Sequence, residues 1–370
     1  MKRVVILCVW LFSVVAGHAQ LSLDECRRLA RENYPEIRQY DLVHQTEQYN
    51  LSNAARAWIP QLAFSAQATW QTDAPNFPKE LTGMLAQQGL EIPGLRKDQY
   101  KVALELNQTI WDGGKSVADK RIARAEAAEQ KTMTDVDLYE LEGRVDDLYF
   151  GILLLDERIA QTNLTLNLLR SNLEKVRALQ RNGVAMQSDA DVLEAELLSV
   201  GQQLIQFESS CDSYRRMLGI FIGQKVGDRK LQHPSAVQPL SGESARPELA
   251  MFAAKIDRLT AQEKMVKSSS MPRLGFFAQG YYGYPGLDYM QSMMNNDWSW
   301  NAMLGVKLSW NFGAYYTQKN NLNKLRTSRQ QVEVQRDVFL FNMNLQAAQE
   351  NGDIARLRKA IADDDRIVAL

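Results

Sequence analysis

The sequence predicts an α+β membrane protein built as a tandem repeat of helix, strand, strand, long helix and helix, and three observations carry that reading. Four segments alternate apolar and polar side chains with the period of a β-strand. The tryptophans of the mature chain all sit at or beside the ends of those segments. Between the segments run apolar stripes spaced three and four residues apart, sustained far longer than in an ordinary globular helix.

The first element is an export signal. In M1-K-R-V-V-I-L-C-V-W-L-F-S-V-V-A-G-H-A-Q20, Lys2 and Arg3 precede an apolar run from Val4 to Val15, and Gly17 and Ala19 fit a small-x-small cleavage site. Residues 1–19 therefore read as a signal peptide, too short to span a bilayer as a mature helix. A mature chain of about 350 residues remains. Its formal net charge of −1 gives no electrostatic footprint for nucleic acid. No later apolar run reaches the roughly 18–20 residues of a membrane helix. An exported chain without such a helix is either soluble or spans by strands.

Site chemistry is sparse. Cys26 and Cys211 are the cysteines left after export, and His44 and His233 have neither a cysteine nor a second histidine at ligand spacing. No G-x-S-x-G, H-E-x-x-H or CxxC motif occurs, so no catalytic residue, metal site or cofactor is assigned. Met290, Met293 and Met294 cluster in a loop, and thioethers are soft ligands for Cu(I), but scattered loop methionines are common.

Helices are expected over 22–58, opened by the capping box S22-L-D-E25. A strand follows at 61–71, with Leu62, Phe64, Ala66, Ala68 and Trp70 on one face and Ala63, Ser65, Gln67, Thr69 and Gln71 on the other. A second strand is expected at 100–111. It leads into Gly113-Gly114-Lys115-Ser116, which looks like a phosphate cradle. A nucleotide P-loop, G-x-x-x-x-G-K-[ST], would need glycine where Thr109 stands inside the strand.

The long helix 114–182 carries Leu138, Leu141, Val145, Leu148, Ile152, Leu155 and Ile159, then Thr162, Leu166, Leu169, Leu173 and Val176, an unbroken heptad. At 1.5 Å per residue it is roughly 100 Å long. Asn182-Gly183 ends it, the tip occupies 183–188, and Ser188 is expected to cap helix 189–219 with Asp191 at the capping-box position. The next seam is Leu193, Leu197, Val200, Leu204, Phe207, Cys211, Tyr214 and Leu218. A Gly-, Pro- and Ser-rich linker covers 221–245.

The second repeat spans 246–370, with helix 246–270, strands 273–283 and 299–311, and helix 314–370 bearing Val334, Val338, Phe341, Leu345 and Ala348. Pro60 aligns with Pro272, Leu62 with Leu274, Phe64 with Phe276, Trp111 with Trp310 and Gly114 with Gly313. The second copy keeps the tryptophan and the glycine but has Ala314-Tyr315 in place of Lys-Ser. The repeated feature is thus a strand-to-helix turn, not a phosphate ligand.

Trp58, Trp70, Tyr100, Trp111, Trp298, Trp300 and Trp310 mark the strand ends, the placement of an outer-membrane aromatic girdle. Each strand has about the 9–11 residues needed to cross a bilayer at a tilt. Four strands cannot close a membrane barrel, and open edges are not tolerated in lipid, so the barrel must be shared among subunits. Helices leave from one rim.

In the order and spacing of L21-S-L-D-E-C-R-R-L-A-R-E-N-Y-P-E36, A57-W-I-P-Q-L-A-F64, W111-D-G-G114, R181-N-G-V-A185, D191-V-L-E-A195 and R246-P-E-L249, the chain resembles the outer-membrane efflux protein family, the TolC-like channel tunnels. The resemblance implies a homotrimer with a shared twelve-stranded barrel, continued by a coiled-coil α-helical periplasmic tunnel and an equatorial region built partly from the chain start and the 220–245 linker. It implies a passive channel in the outer membrane of a Gram-negative cell, exporting small molecules or proteins within a tripartite efflux or type I secretion system. The implied partners are a periplasmic adaptor (membrane fusion) protein, an inner-membrane transporter and outer-membrane lipid. It places Gly183, Val184, Ala185, Ser188 and Asp189 at the adaptor-docking tip, and it brings Cys26 and Cys211 toward the equator, where a disulfide is expected in an oxidising periplasm. The offset between Gly114 and Gly313 would place the second tip glycine beyond Leu370, so the second repeat is read as incomplete and no gate residues are assigned. The alternatives are a soluble periplasmic coiled-coil scaffold or adaptor, which would extract without detergent, and an exported nucleotide-binding enzyme using the 113–116 turn.

Overall fold

The structure, a computed structural model, describes residues 20–90, 92–234 and 246–369; the expected signal peptide and residues 235–245 of the expected 221–245 linker lie outside the described residues. The elements in chain order are α1 (Leu23–Asn33), a 3-10 turn (Pro35–Arg38), α2 (Gln39–Arg56), β1 (Gln61–Trp70), α3 (Lys79–Gln87), β2 (Asp98–Trp111), α4 (Lys115–Arg181), α5 (Gln187–Ile222), α6 (Pro247–Ser268), β3 (Arg273–Tyr284), α7 (Tyr289–Asn295), β4 (Ser299–Ser309) and α8 (Ala314–Ala369). The chain divides into two compact units, Met1–Leu42 with Gln130–Met251, and Val43–Glu129 with Phe252–Leu370.

In the first unit the chain start is pinned to the long helices. Ser22 caps α1, its hydroxyl accepting from the Glu25 N–H at 3.3 Å. Helix does not run unbroken from there. Tyr34, which precedes Pro35, adopts an extended φ/ψ of −69/126, because the proline ring disfavours helical backbone in the residue before it. Asn33 then donates from Nδ2 to the Ile220 and Phe221 carbonyls, both at 3.1 Å, satisfying the end of α5.

Leu21 bridges Leu231 in parallel, and the Tyr149 hydroxyl lies 2.7 Å from the Leu21 carbonyl and 2.6 Å from that of Gln232. Around this clasp Cys26, Ala30, Val145, Ile152, Cys211, Leu218 and Val226 form one buried core. The α4 seam is buried at Leu138, Leu141, Val145, Leu148, Ile152, Leu155, Thr162, Leu166 and Leu173, the positions that the heptad selects.

The second unit holds one antiparallel sheet in the order β1-β2-β3-β4. Phe64 stands opposite Leu104, which stands opposite Gly280; Leu106 pairs with Ala278, and Ala278 with Leu304. β1 pairs only with β2 and β4 only with β3, so among the described residues each has an open edge. The connection from β1 to β2 contains α3 and that from β3 to β4 contains α7, two short helices that the alternation pattern did not indicate. No helix among the described residues is long and apolar enough to cross a membrane. No residue of α8 is buried; Val334, Val338, Phe341 and Leu345 are all exposed.

Candidate functional site

Residues directly opposite in an antiparallel sheet share a face, so the register divides the sheet into a polar face and an apolar one, the latter broken by Asp98 opposite Trp70 and Gln108 opposite Phe276. One face carries Leu62, Phe64, Ala66, Ala68 and Trp70 of β1, with Tyr100, Val102, Leu104 and Leu106 of β2. It continues through Leu274, Phe276, Ala278, Gly280 and Tyr282 of β3 to Trp300, Ala302, Leu304, Val306 and Leu308 of β4. The other face carries Ser65, Gln67, Lys101, Glu105, Asn107, Arg273, Gln279, Asn301 and Lys307. On it Lys101 Nζ donates to Gln279 Oε1 at 3.0 Å, Gln279 Nε2 donates to Glu105 Oε1, and Lys101 lies 4.5 Å from the centre of the Tyr281 ring. On the apolar face Phe64 is 73% and Leu304 75% exposed, a continuous apolar surface that water would not leave uncovered.

The aromatic residues fall into two bands. Trp58, Trp111, Trp310 and Phe312 gather where the strands meet the helices; Trp310 and Phe312 pack at 4.7 Å, and Trp310 Nε1 donates to the Ser270 carbonyl at 3.0 Å. Trp70, Tyr100, Tyr282, Trp298 and Trp300 gather at the opposite end. There Tyr100 stacks on Trp298 at 5.6 Å, and Tyr282 packs against Trp298 at 5.4 Å and Trp300 at 5.0 Å. From Trp300 to Trp310 is about 33 Å along a strand at ~3.3 Å per residue. A tilt of roughly 40° reduces that to ~25 Å, the height of a barrel's apolar band.

Trp111 would belong to the polar face by simple alternation from Leu104 and Leu106. A register shift between Thr109 and Trp111 inserts one residue, and Trp111 pairs with Leu274 on the apolar face.

The strand-to-helix turn explains the resemblance to a phosphate cradle. The Asp112 carboxylate accepts from the Gly114 N–H at 2.9 Å, from the Ser116 N–H at 2.6 Å and from the Ser116 hydroxyl. A side chain of this protein already fills the place at the helix start that a phosphate would take. Burial alone would raise the Asp112 pKa, but the bonds from Ser116 and Gly114 outweigh it and hold the carboxyl below its ordinary range. With the folded value depressed, this contribution to stability is complete at neutral pH and is lost as pH falls through the acid range below the ordinary aspartate value. In the other turn Asn311 Oδ1 accepts from the Gly313 N–H at 3.0 Å. The sequence signal for this contact is the acid or amide directly after the tryptophan, Asp112 in W111-D-G-G114 and Asn311 in W310-N-F-G313.

Gly113 and Gly114 have φ of +71 and +85. Gly114→Val should therefore strain the turn and reduce assembled protein, although its Cβ would meet no neighbour within 4 Å. Lys115 holds only Asp119, at 2.7 Å on the helix surface, so Lys115→Ala should leave assembly and export intact. Ser116, although the second copy lacks it, is buried and bonded to Asp112, so its alanine variant should lose stability. The yield of folded protein after detergent extraction checks all three; a normal yield for Gly114→Val would refute the strain at that turn.

At the tip Gly183 has φ +75, and the Val184 N–H reaches the Leu179 carbonyl at 3.0 Å, closing α4. α5 starts earlier than expected. Met186, not Ser188, takes the N-cap position without a side-chain cap bond, and Asp189 rather than Asp191 reaches back to it, its Oδ2 accepting the Met186 N–H at 2.9 Å. Asp191 instead accepts from Gln187 Nε2 at 2.7 Å. Val184 and Met186 are about three-quarters exposed, Gly183, Ser188 and Asp189 are exposed, and Ala185 is half-buried. Arg177 and Glu194 pair across the hairpin at 2.7 Å. Met186 and this ion pair were not singled out in the sequence; the signal for Met186 was an apolar residue in a solvent turn.

The expected disulfide is absent: Cys26 and Cys211 are free, buried thiols within one core. Cys211 Sγ donates to Asp156 Oδ1 and accepts from Arg215 Nε, both at 3.3 Å. Burial, with Glu25 adding to it, pushes the Cys26 pKa up to about 12, and burial raises that of Cys211. Both thiols stay protonated at neutral pH, and the thiolate is the form that reacts. Among the described residues no group of His, Cys, Asp or Glu is arranged to hold a metal ion.

An antiparallel sheet with one lipid-type face, two aromatic bands and helices leaving one rim defines an outer-membrane channel with a helical extension. A family model for outer membrane efflux proteins matches residues 27–223, more than half of the chain, and the protein belongs to that family. A search of curated protein sequences gave no match. The fold is similar to that of the outer membrane protein VceC from Vibrio cholerae, at 15% identity and TM-score 0.60, covering 86% of this chain and 75% of that one. It is also similar to the outer-membrane channel OprN, at 13% identity and TM-score 0.61, covering 86% and 71%, and to the Campylobacter jejuni CmeC channel, at 15% and 0.58, covering 86% and 68%. The protein is an outer-membrane channel of efflux systems, extending into the periplasm, and not an enzyme.

Proposed function

We propose that three copies of this chain, each a tandem repeat, contribute four strands apiece to a twelve-stranded barrel in the outer membrane of a Gram-negative cell. The barrel is continued by a tunnel of the α4, α5, α6 and α8 helices, through which cargo passes passively. The observation that carries this reading is the four-stranded sheet with one face apolar along most of its length and two open edges. Unpaired edges in hydrocarbon cost several kcal/mol per orphaned group, and only closure removes them. The exposed stripe of α8 supports assembly with further helices. An adaptor and an inner-membrane transporter complete the system, and the turn bearing Val184, Ala185, Met186, Ser188 and Asp189 is the surface on which the adaptor docks.

The extracted chain should require detergent and run as three copies by native mass spectrometry. Met186→Asp should leave that trimer intact while weakening capture of the adaptor, since an exposed apolar anchor at a contact typically carries about 1–2 kcal/mol. A detergent-free soluble monomer would remove the barrel, and undiminished capture would move the docking surface elsewhere.

A further inference from the structure

The connection from β3 to β4 does more than join two strands at the end of the sheet away from the long helices. It leaves β3 on the polar face. The Leu287 N–H donates to Asn301 Oδ1 at 2.7 Å, and Asn301 stands opposite Tyr281 on that face. Gly286 lies against the same face, because a Cβ there would run into the Ser299 and Asn301 side chains. The Asn301 amide is itself held by Ser299, whose carbonyl and Oγ both accept from Nδ2 at 3.0 Å. α7 then begins at Tyr289, whose phenol is close enough to that of Tyr281 to interact with it electrostatically. The chain returns on the apolar side, where Trp298 stacks on Tyr100.

This arch is braced along its length. The Gly286 N–H donates to Ser292 Oγ at 3.0 Å, and the Tyr284 hydroxyl bonds Asn296 Oδ1. From the connection between β1 and β2, the Gly94 N–H donates to the Met293 carbonyl at 3.1 Å. Ser292 is buried inside the arch, whereas Leu287 and Tyr289 are each about half exposed.

The space that such an arch enters is small. Twelve strands about 4.8 Å apart and tilted by about 40° make a ring roughly 75 Å around, or ~24 Å across at the backbone. A helix with its side chains is about 10–12 Å thick. Three copies of α7 leaning over such a rim leave a gap narrower than the bore beneath it.

We propose that the connection between β3 and β4 is an outer constriction of the channel, in which Leu287 and Tyr289 set the largest cargo that leaves. The inference rests on the proposed trimeric barrel, which turns the polar face inward and brings three arches around one mouth.

The test is the size of reagent that enters from outside. Met303 lies one pair further along the polar face than Asn301, opposite Gln279. Cys26 and Cys211 are buried, so Met303→Cys supplies the reactive thiol. In intact cells, maleimides carrying polyethylene glycol chains too long to cross the membrane elsewhere reach that thiol only by the outer mouth. A small maleimide shows that the thiol reacts at all. The Met303→Cys channel should be labelled up to a limiting chain length. Adding Leu287→Ala with Tyr289→Ala should raise that limit, and replacing residues 287–295 by a short glycine-serine turn should raise it further. The double alanine variant changes only exposed side chains, and native mass spectrometry checks that each protein is a trimer. Trimers in which neither change moves the limit overturn the proposal, as does a Met303→Cys trimer that admits every length. A chain that is not a trimer and is labelled at every length removes the barrel reading and this inference with it.

Discussion

Leu304→Arg should destabilise the inserted protein by about 2–4 kcal/mol, the cost of a basic side chain on the lipid face of a barrel near the midplane. Leu304 sits opposite Ala278, roughly midway between the two aromatic bands, and is 75% exposed on the apolar face. Phe64→Arg, placed similarly opposite Leu104, should behave alike. Gln67→Arg is the control. It lies on the same strand as Phe64 but on the opposite face, paired with Lys101, where a charge meets water. The quantity to measure is the fraction of folded, heat-modifiable trimer across a urea titration in detergent or liposomes. Equal losses at Leu304 and Gln67 would sink the assignment of the two faces.

Leu218→Ala should cost about 2–5 kcal/mol, the range for emptying a buried leucine site whose surroundings relax only in part. Leu218 is fully buried in the core shared by Cys26, Ala30, Val145, Tyr149 and Ile152, so truncation leaves a cavity where the chain start meets α4 and α5. Ile220, two residues along the same helix, is 76% exposed, and Ile220→Ala should cost less than about 0.5 kcal/mol. Chemical denaturation followed by helix circular dichroism, with hydrogen exchange of the α1 amides as a local reading, separates the two. Similar effects at both positions would mean that α1 and the segment around Val226 do not close this core.

The periodic features were legible because a residue's face within a regular element is fixed by local geometry. Period-two alternation put all four strands within two residues of their observed ends. The three-four spacing along α4 picked out Leu138, Val145, Ile152 and Leu166, which are buried. The tryptophans marked the interfaces because an amphipathic ring sits where hydrocarbon meets water. The break at Tyr34 was also written locally, in the proline that follows it.

What the tertiary structure alone decided depends on residues distant in sequence. The bulge before Trp111 exists because β2 must pair with β3, and it moves that ring to the apolar face against what alternation in β2 would assign. The clasp of Tyr149 on the Leu21 and Gln232 carbonyls joins three segments that no local pattern connects. The family resemblance implies Cys26 and Cys211 as partners near the equator, whereas the fold gives Cys211 to Asp156 and Arg215 and buries both thiols. At the α5 start the choice between Ser188 and Met186 as cap turned on where the Asp189 carboxylate reached, a matter of one hydrogen bond. Propensity sets which residues suit a position within an element. Which positions face each other, and which charges are left without a partner, is settled only when the whole chain has packed, because those pairings cross the sequence rather than run along it.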